Sequence, residues 1–261
     1  MSLNLVGVQT LYMREVKRFV KVWLQTIIAP CVSSVLFMTI FILALGRDST
    51  VAEGVEYAQF LLVGLVTMTA LQNAFANTSS SLIISKVTGS IFDILMPPIS
   101  AGEFLFSYVA GAVTRGLITA ILLFLILLFF VDFHINSKLG FAGVIIAFFY
   151  AFLGSTMLAT VGILTGLWAN KFDHTGVVTN FIIMPLSFLA GTFYSIKILP
   201  GYWELIAYAN PIFYVVDGMR YGLLDYHEAS LLQGLIVLIG LNTILLTISY
   251  RLLKRGYKLK S

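Results

Sequence analysis

Six stretches of this chain run for 18 residues or more with almost no charge, at 24–45, 57–80, 104–131, 139–168, 177–194 and 231–253. That pattern leaves few folds open. About 20 consecutive apolar residues suffice to cross a bilayer as a helix, and in lipid only helices and closed barrels satisfy every backbone N–H and C=O. Uninterrupted apolar runs, rather than alternating ones, select the helix. The expected fold is an all-α integral membrane protein, a bundle of six transmembrane helices. Composition agrees: 59% of residues are hydrophobic and 11% charged, against about 25% charged in soluble domains. The six runs occupy most of the 261 residues, so 1–261 reads as a single transmembrane domain.

Charge placement gives the orientation. Of sixteen Lys and Arg, nine stand in two clusters: Arg14, Lys17, Arg18 and Lys21 at one end, and Arg251, Lys254, Arg255, Lys258 and Lys260 at the other. Six crossings put both termini on one side. That side then collects these nine with Lys86 and Lys171, leaving Arg47, Lys138, Lys197 and Arg220 opposite. Eleven against four is a positive-inside bias, so both termini are expected in the cytoplasm. The net charge of +4 is absorbed by this asymmetry and points to no nucleic-acid partner. The start does not read as a cleavable signal, because its basic region is long and its apolar run span-length. Cys31, the single cysteine, permits no intrachain disulfide.

Residues 1–23 read as an interfacial amphipathic helix. Arg14, Lys17, Arg18 and Lys21 recur at i, i+3, i+4 and i+7, while Val16, Phe19, Val20 and Trp23 repeat the spacing on another face. A basic face opposite an apolar one suits an anchor on membrane lipid. Spans 1–3 occupy 24–131, with 82–103 between the second and third. Spans 4 and 5 fill 139–194, and span 6 with its basic tail fills 231–261. In span 4, Gly143, Ala147, Ala151, Ser155 and Ala159 form a ridge of small residues, and Gly162 and Gly166 extend it. Such ridges let helices approach closely, here chiefly inside one protomer, with a dimer seam as the other use. Pro185 is expected to kink span 5, and Arg115 to anchor span 3 by reaching inward to the interface.

Two segments outside the spans carry functional character. The first, on the cytoplasmic side, contains Gly89, Ser90, Ile91, Phe92, Asp93, Ile94, Leu95, Met96, Pro97 and Pro98. Ile91, Ile94 and Leu95 share a helical face, so a short helix over 90–96 is expected, stopped by the prolines. Such a helix transmits a push, or merely connects. The second segment, 195–230, is apolar yet holds Glu204, Pro211, Asp217 and Arg220. Two short re-entrant helices turning near Asn210 and Pro211 fit it, since irregular backbone at membrane depth must be buried in protein or line a cavity. An aromatic belt of Tyr202, Trp203, Tyr208 and Tyr214 is the plainer alternative. Asp217 and Arg220, at i and i+3, are placed to pair.

Recognisable chemistry is absent from the sequence. There is no GxxxxGK[ST] phosphate loop, no GxSxG elbow, and His134, His174 and His227 stand apart with no metal-ligand spacing.

Over nearly its full length the chain resembles the permease subunits of ABC-2 type (type V) bacterial exporters. The most specific parts are the Gly89-to-Ser100 stretch and Asn210-Pro-Ile-Phe-Tyr-Val-Val-Asp-Gly-Met-Arg220. The resemblance implies a non-catalytic permease in the bacterial inner membrane, working as a homodimer or with a sister permease. A separate ABC ATPase would bind ATP and Mg, leaving this chain without a cofactor. It implies that Gly89 to Pro98, with Asp93 projecting, contact the ATPase as a coupling helix. Glu204, Asn210, Pro211, Asp217 and Arg220 would belong to an outer gate. Ser85 and Lys86 stand where the family often has an acid and an arginine. The rival classes are a stand-alone secondary transporter, which would show intramembrane acids or internal repeats, and a membrane assembly protein.

Overall fold

Long apolar segments must close their hydrogen bonds internally, and this chain does so with helices alone. The computed structural model describes residues 4–45, 51, 55–133 and 138–258, and no strand occurs among them. The turn expected at 46–48 with Arg47, and His134 and Lys260, lie outside the described residues. In order the helices are α1 (Leu5–Lys21), α2 (Ala29–Leu45), α3 (Tyr57–Val87), α4 (Ile91–Leu95), α5 (Ala101–Leu127) and α6 (Phe141–Trp168). Then follow α7 (Phe172–Val178), α8 (Met184–Leu189), α9 (Tyr202–Ala209), α10 (Pro211–Leu224) and α11 (Leu231–Lys254). Five helical stretches are long and apolar enough to cross a membrane: Leu24–Ala44, α3, α5, α6 and α11.

The central post is α3. Its 31 residues reach about 46 Å at 1.5 Å per residue, and 94% of its most apolar window is buried. It packs against α5, α6, α10 and α2. Burial inside protein is what allows its second half to carry Asn73, Asn77, Thr78, Ser79 and Ser81 at membrane depth, since each finds a partner on a neighbour or on its own helix. The small-residue ridge of α6 makes the approach possible. A Cβ on Gly162 would strike Thr78 Oγ1 and the Phe75 carbonyl, and one on Gly166 would strike Leu82 and Ser79. Thr78 Oγ1 donates to the Ala159 carbonyl at 2.7 Å. On the same ridge, Gly143 and Ala147 accept Gly222 of α10. The ridge therefore packs within the protomer.

Two prolines reshape the helices they enter. Pro30 offers no N–H to the carbonyl four residues back, at Thr26, and its ring crowds that carbonyl. The helix widens into a π turn over Leu24–Ile28, with Ala29 N–H reaching the Leu24 carbonyl. Pro185 produces the same result over Thr179–Ile183, where Met184 N–H reaches Thr179. Expected as one kinked span over 177–194, this region is a helical run from Phe172 to Leu189 interrupted by that π turn. A turn follows, with Gly191 at φ +74°. It does not count among the five span-length stretches.

The face that α1 turns to the bundle is not the apolar face the spacing singled out. Helix α1 buries Leu11, Glu15 and Phe19, one face at i, i+4 and i+8 with a carboxylate in its middle. Val20 and Trp23, expected to join Phe19, are about half exposed, at 49% and 51%. Lys17 and Lys21 are exposed, whereas Arg14 and Arg18 turn toward α3.

Candidate functional site

Helix α3 separates two polar sites. Its Tyr57 end meets the turn at 190–195, through Tyr57 Oη donating to the Phe193 carbonyl at 3.0 Å. Its Val87 end leads directly into α4.

At the α4 end, Gly89 sits at φ +75°, a left-handed conformation that glycine adopts without penalty and that turns the chain off α3. Helix α4 covers Ile91–Leu95, close to the expected 90–96, and Pro97 and Pro98 follow it. Ile91 and Ile94 are buried in the apolar cluster that holds Leu11, Leu82 and Phe104. Phe92 and Met96 face outward, 50% and 83% exposed, and Ser90 is half-buried while Asp93, Pro97 and Pro98 are exposed. The side chain of Leu95 lies outside the described part. Two apolar pegs thus seat a helix whose outer face is bare. The seat is braced from α1: Glu103 accepts Asn4 N–H at 2.6 Å and Ser100 N–H at 2.7 Å, tying the starts of α1 and α5 together. Ser100 Oγ accepts Glu103 N–H at 3.3 Å, completing a capping box. Asp93, Ser90 and Pro97 border a cleft of about 430 Å³ shared with Asn4, Thr10 and Arg14 of the N-terminal segment.

Between the two ends runs a polar seam that joins α1, α3 and α5. Glu15, fully buried, accepts Ser81 Oγ–H at 2.8 Å and pairs with Arg18 at 3.3 Å. Arg18 also donates to the Asn77 carbonyl at 2.7 Å and side chain at 2.9 Å, and to Ser80 Oγ at 3.2 Å. Arg14 donates to Ser85 Oγ at 3.1 Å. Lys86 donates to the carbonyls of Gly166, Leu167 and Ala169 at 2.6–3.3 Å, closing the last turn of α6. Deeper in, Arg115 is 7% exposed and does not reach for the interface. Its Nη2 donates to Asn73 Oδ1 at 2.9 Å and to the Thr26 carbonyl at 3.4 Å. That carbonyl is the one Pro30 deprives of a partner, which explains why a cation is kept there.

At the other end, Asn210 caps α10 by accepting Ile212 N–H at 3.0 Å, with Pro211 in the first helical position, where its missing N–H costs nothing. The Asn210 amide also donates to the Leu186 carbonyl at 2.6 Å, in the last turn of α8. Helix α10 is buried almost throughout, while α9 exposes Tyr202, Trp203, Leu205 and Ile206. Asp217 and Arg220 are both buried but do not pair as expected. Asp217 accepts the N–H groups of Glu228 and Ala229 at 2.7 and 3.1 Å. Arg220 donates to the carbonyls of Gly191 at 2.7 Å and Thr192 at 3.2 Å, with its guanidinium 3.4 Å from the centre of the Phe60 ring. The turn after α8 leaves carbonyls that need a donor, and the loop before α11 leaves N–H groups that need an acceptor. Each ion serves one of them. Glu228 completes the cluster by accepting Ile196 N–H at 3.0 Å and Tyr226 Oη–H at 2.7 Å. Burial, and next the Glu228 carboxylate, push the Tyr226 phenol above its usual range. Glu204, half-buried in the first turn of α9, adds no hydrogen bond to this cluster among the described residues.

Three contributors were not anticipated. Glu15 stood out only as a lone acid inside a basic helix. Glu228 stood out only as an acid just before a span. Tyr57 carried no signal at all. Among the described residues no group of His, Cys, Asp and Glu is arranged to hold a metal.

Comparison with known proteins places this geometry. The family model described as ABC-2 type transporter matches residues 6–224. The chain is 33% identical to the inner membrane transport permease YadH of Escherichia coli K12, over the whole length of both chains. The same identity and coverage hold for that permease in Shigella flexneri. It is 26% identical to the putative transport permease ycf38 of Cyanophora paradoxa, over 79% of this chain and 69% of that protein.

Proposed function

The chain belongs to the ABC-2 type transporter family, and from that premise we propose that it is the permease subunit of an ATP-driven exporter. In this reading two permeases, identical or sister chains, form the path. ATP and Mg sit on a separate ATPase, and this chain converts that subunit's closure into movement of its own helices. Cargo leaves the cytoplasm by alternating access. Residues 172–189 make the sixth crossing, at an angle set by the π turn before Pro185. Helices α9 and α10 re-enter from the outer side, and Asn210, Pro211, Asp217 and Arg220, with Glu204 at their edge, frame the outer gate. Both termini are cytoplasmic.

The observation that carries this reading is the split character of α4. A five-residue helix cannot hold itself, so Ile91 and Ile94 are its attachment. Its outer face of Phe92, Asp93 and Met96 is left for a partner. Asn4 and Glu103 fix the platform beneath it, and Gly89 fixes its exit from α3.

The experiment is affinity purification of the tagged chain from its native membranes, with Asp93→Arg and Ile94→Asp variants alongside. A Walker-motif ATPase should co-purify with the parent in stoichiometric amount. Asp93→Arg should lose it while leaving the permease's melting temperature unchanged. Ile94→Asp should lose it and also lower that temperature, because it unseats α4. If the ATPase stays bound to both variants, α4 is not the coupling element. If crosslinking captures none from the parent, and the chain alone moves solute down an ion gradient, the reading gives way to a secondary transporter.

A further inference from the structure

We infer that the cleft between α1 and the end of α3 binds the phosphate-bearing headgroup of an anionic phospholipid. The cleft measures about 870 Å³, and Arg14, Lys17, Arg18 and Lys21 are among the residues that line it. Four cations line it and no carboxylate does. The one acid of α1, Glu15, is fully buried and engaged by Ser81 and Arg18, so it offsets a single charge.

The cations divide by mobility. Arg14 and Arg18 are fixed to Ser85, Ser80 and Asn77 of α3, which leaves them little conformational freedom to lose when a ligand binds. Lys17 and Lys21 are exposed and make no hydrogen bond among the described residues, so they can close on a ligand. Phosphate is the anion this set suits. Guanidinium groups match its oxygens in a fork, and lysines add point charge.

The surroundings decide in favour of a lipid. Val20, Val22, Trp23 and Leu24, on the turns that border the cleft, are 49–63% exposed and lead directly into the first span-length stretch. Met13, Val22 and Ile84 give the cleft an apolar wall along which an acyl or glycerol portion lies. A soluble anion would use the cations and leave that wall empty. The inference rests on the orientation proposed above, which places α1 at the leaflet facing the cytoplasm, where anionic headgroups draw basic segments. It does not depend on an ATPase.

The test is native mass spectrometry of the full chain in detergent, titrated separately with phosphatidylglycerol and phosphatidylcholine. The double variant Lys17→Glu/Lys21→Glu removes the two free cations and leaves the contacts to α3 in place. Lys171→Glu/Lys254→Glu makes the same charge change on exposed lysines away from the cleft. Phosphatidylglycerol should be retained over phosphatidylcholine by the parent and by the control. The cleft variant should lose roughly fivefold or more in retention for each reversed lysine, with an unchanged melting temperature. Equal retention of both lipids by the parent, or equal loss in both variants, overturns the site. Displacement of the lipid by millimolar inorganic phosphate makes it a soluble-anion site and overturns the lipid assignment. Failure of the orientation would appear instead in the labelling experiment described at the end of the Discussion, and failure of the ATPase reading in the purification above.

Discussion

Arg220 shows how much one side chain holds in place. It is 1% exposed, carries two carbonyls of the turn after α8 and lies over Phe60. Burying a charge is costly unless it is hydrogen-bonded, and here Nη2 meets both backbone carbonyls while Nε has no hydrogen-bond partner among the described residues. Arg220→Ala is expected to lower stability by roughly 2–4 kcal/mol, through carbonyls left unsatisfied and a lost cation–π contact. Arg220→Lys should recover only part of it, because a compact ammonium lacks the planar group that lies over the Phe60 ring while one of its nitrogens meets the carbonyls. Thermal unfolding in detergent checks both, and an alanine variant as stable as the parent would mean these contacts contribute nothing. The sequence singled out Arg220 as a charge in an apolar segment and expected Arg115 to reach the interface, and both are instead buried among other helices. Their partners were not legible. Thr26, Asn73 and the Gly191 carbonyl lie 89, 42 and 29 residues away, and neither helical spacing nor charge patterning reaches across such distances. The expected Asp217–Arg220 pair failed for that reason: the i, i+3 rule counts neighbours on one helix and ignores turns packed against it.

Helices were legible where lipid and length dictated them, and misjudged where neighbouring helices dictated them. Four spans and α4 fall close to their expected limits, because the apolar runs, the Gly89 turn and the paired prolines are local signals. The run expected at 177–194 moved to 172–189, because Pro185 widens the helix before it and Gly191 ends it. Neither π turn could be read from composition. The ridge on α6 gives a prediction that belongs to this scale. Gly162 lies where a Cβ would strike Thr78 and the Phe75 carbonyl, whereas nothing lies near Gly176 in α7. Gly162→Leu should force α6 from α3 and cost about 1–3 kcal/mol or more from overpacking, visible as reduced yield of monodisperse protein. Gly176→Ala adds a better helix former in open space and should leave yield unchanged or slightly improved. Comparable losses in both would show that the ridge does not set the approach of α6 to α3.

At the scale of the whole molecule, α3 links the two polar sites. One end holds the turn and loop tied by Asp217, Arg220 and Glu228, and the other delivers α4 to the surface, with α1 strapped alongside through Glu15, Arg18 and Asn77. Helix α1 is tied to the two helices that flank α4, through Asn4 to Glu103 of α5 and through Arg14 to Ser85 of α3. The strap therefore joins the basic face of α1 to the centre of the bundle. That arrangement works only if the α4 end faces the cytoplasm and the α9–α10 end faces out, which the charge asymmetry predicts. The chain offers a clean way to measure it, since its one cysteine, Cys31, is free and buried at 1% exposure. Tyr202→Cys in α9, where the parent side chain is 86% exposed, should react with a membrane-impermeant maleimide in intact cells. Lys254→Cys, at the exposed end of α11, should react only after permeabilisation. The reverse pattern would mean either that the molecule is inverted or that 172–189 does not cross, and each overturns a six-span topology with both termini in the cytoplasm. Labelling of both positions in intact cells would mean that the chain crosses an even number of times between α9 and the end of α11, so that α10 spans as well or α11 does not, and the termini lie on opposite sides.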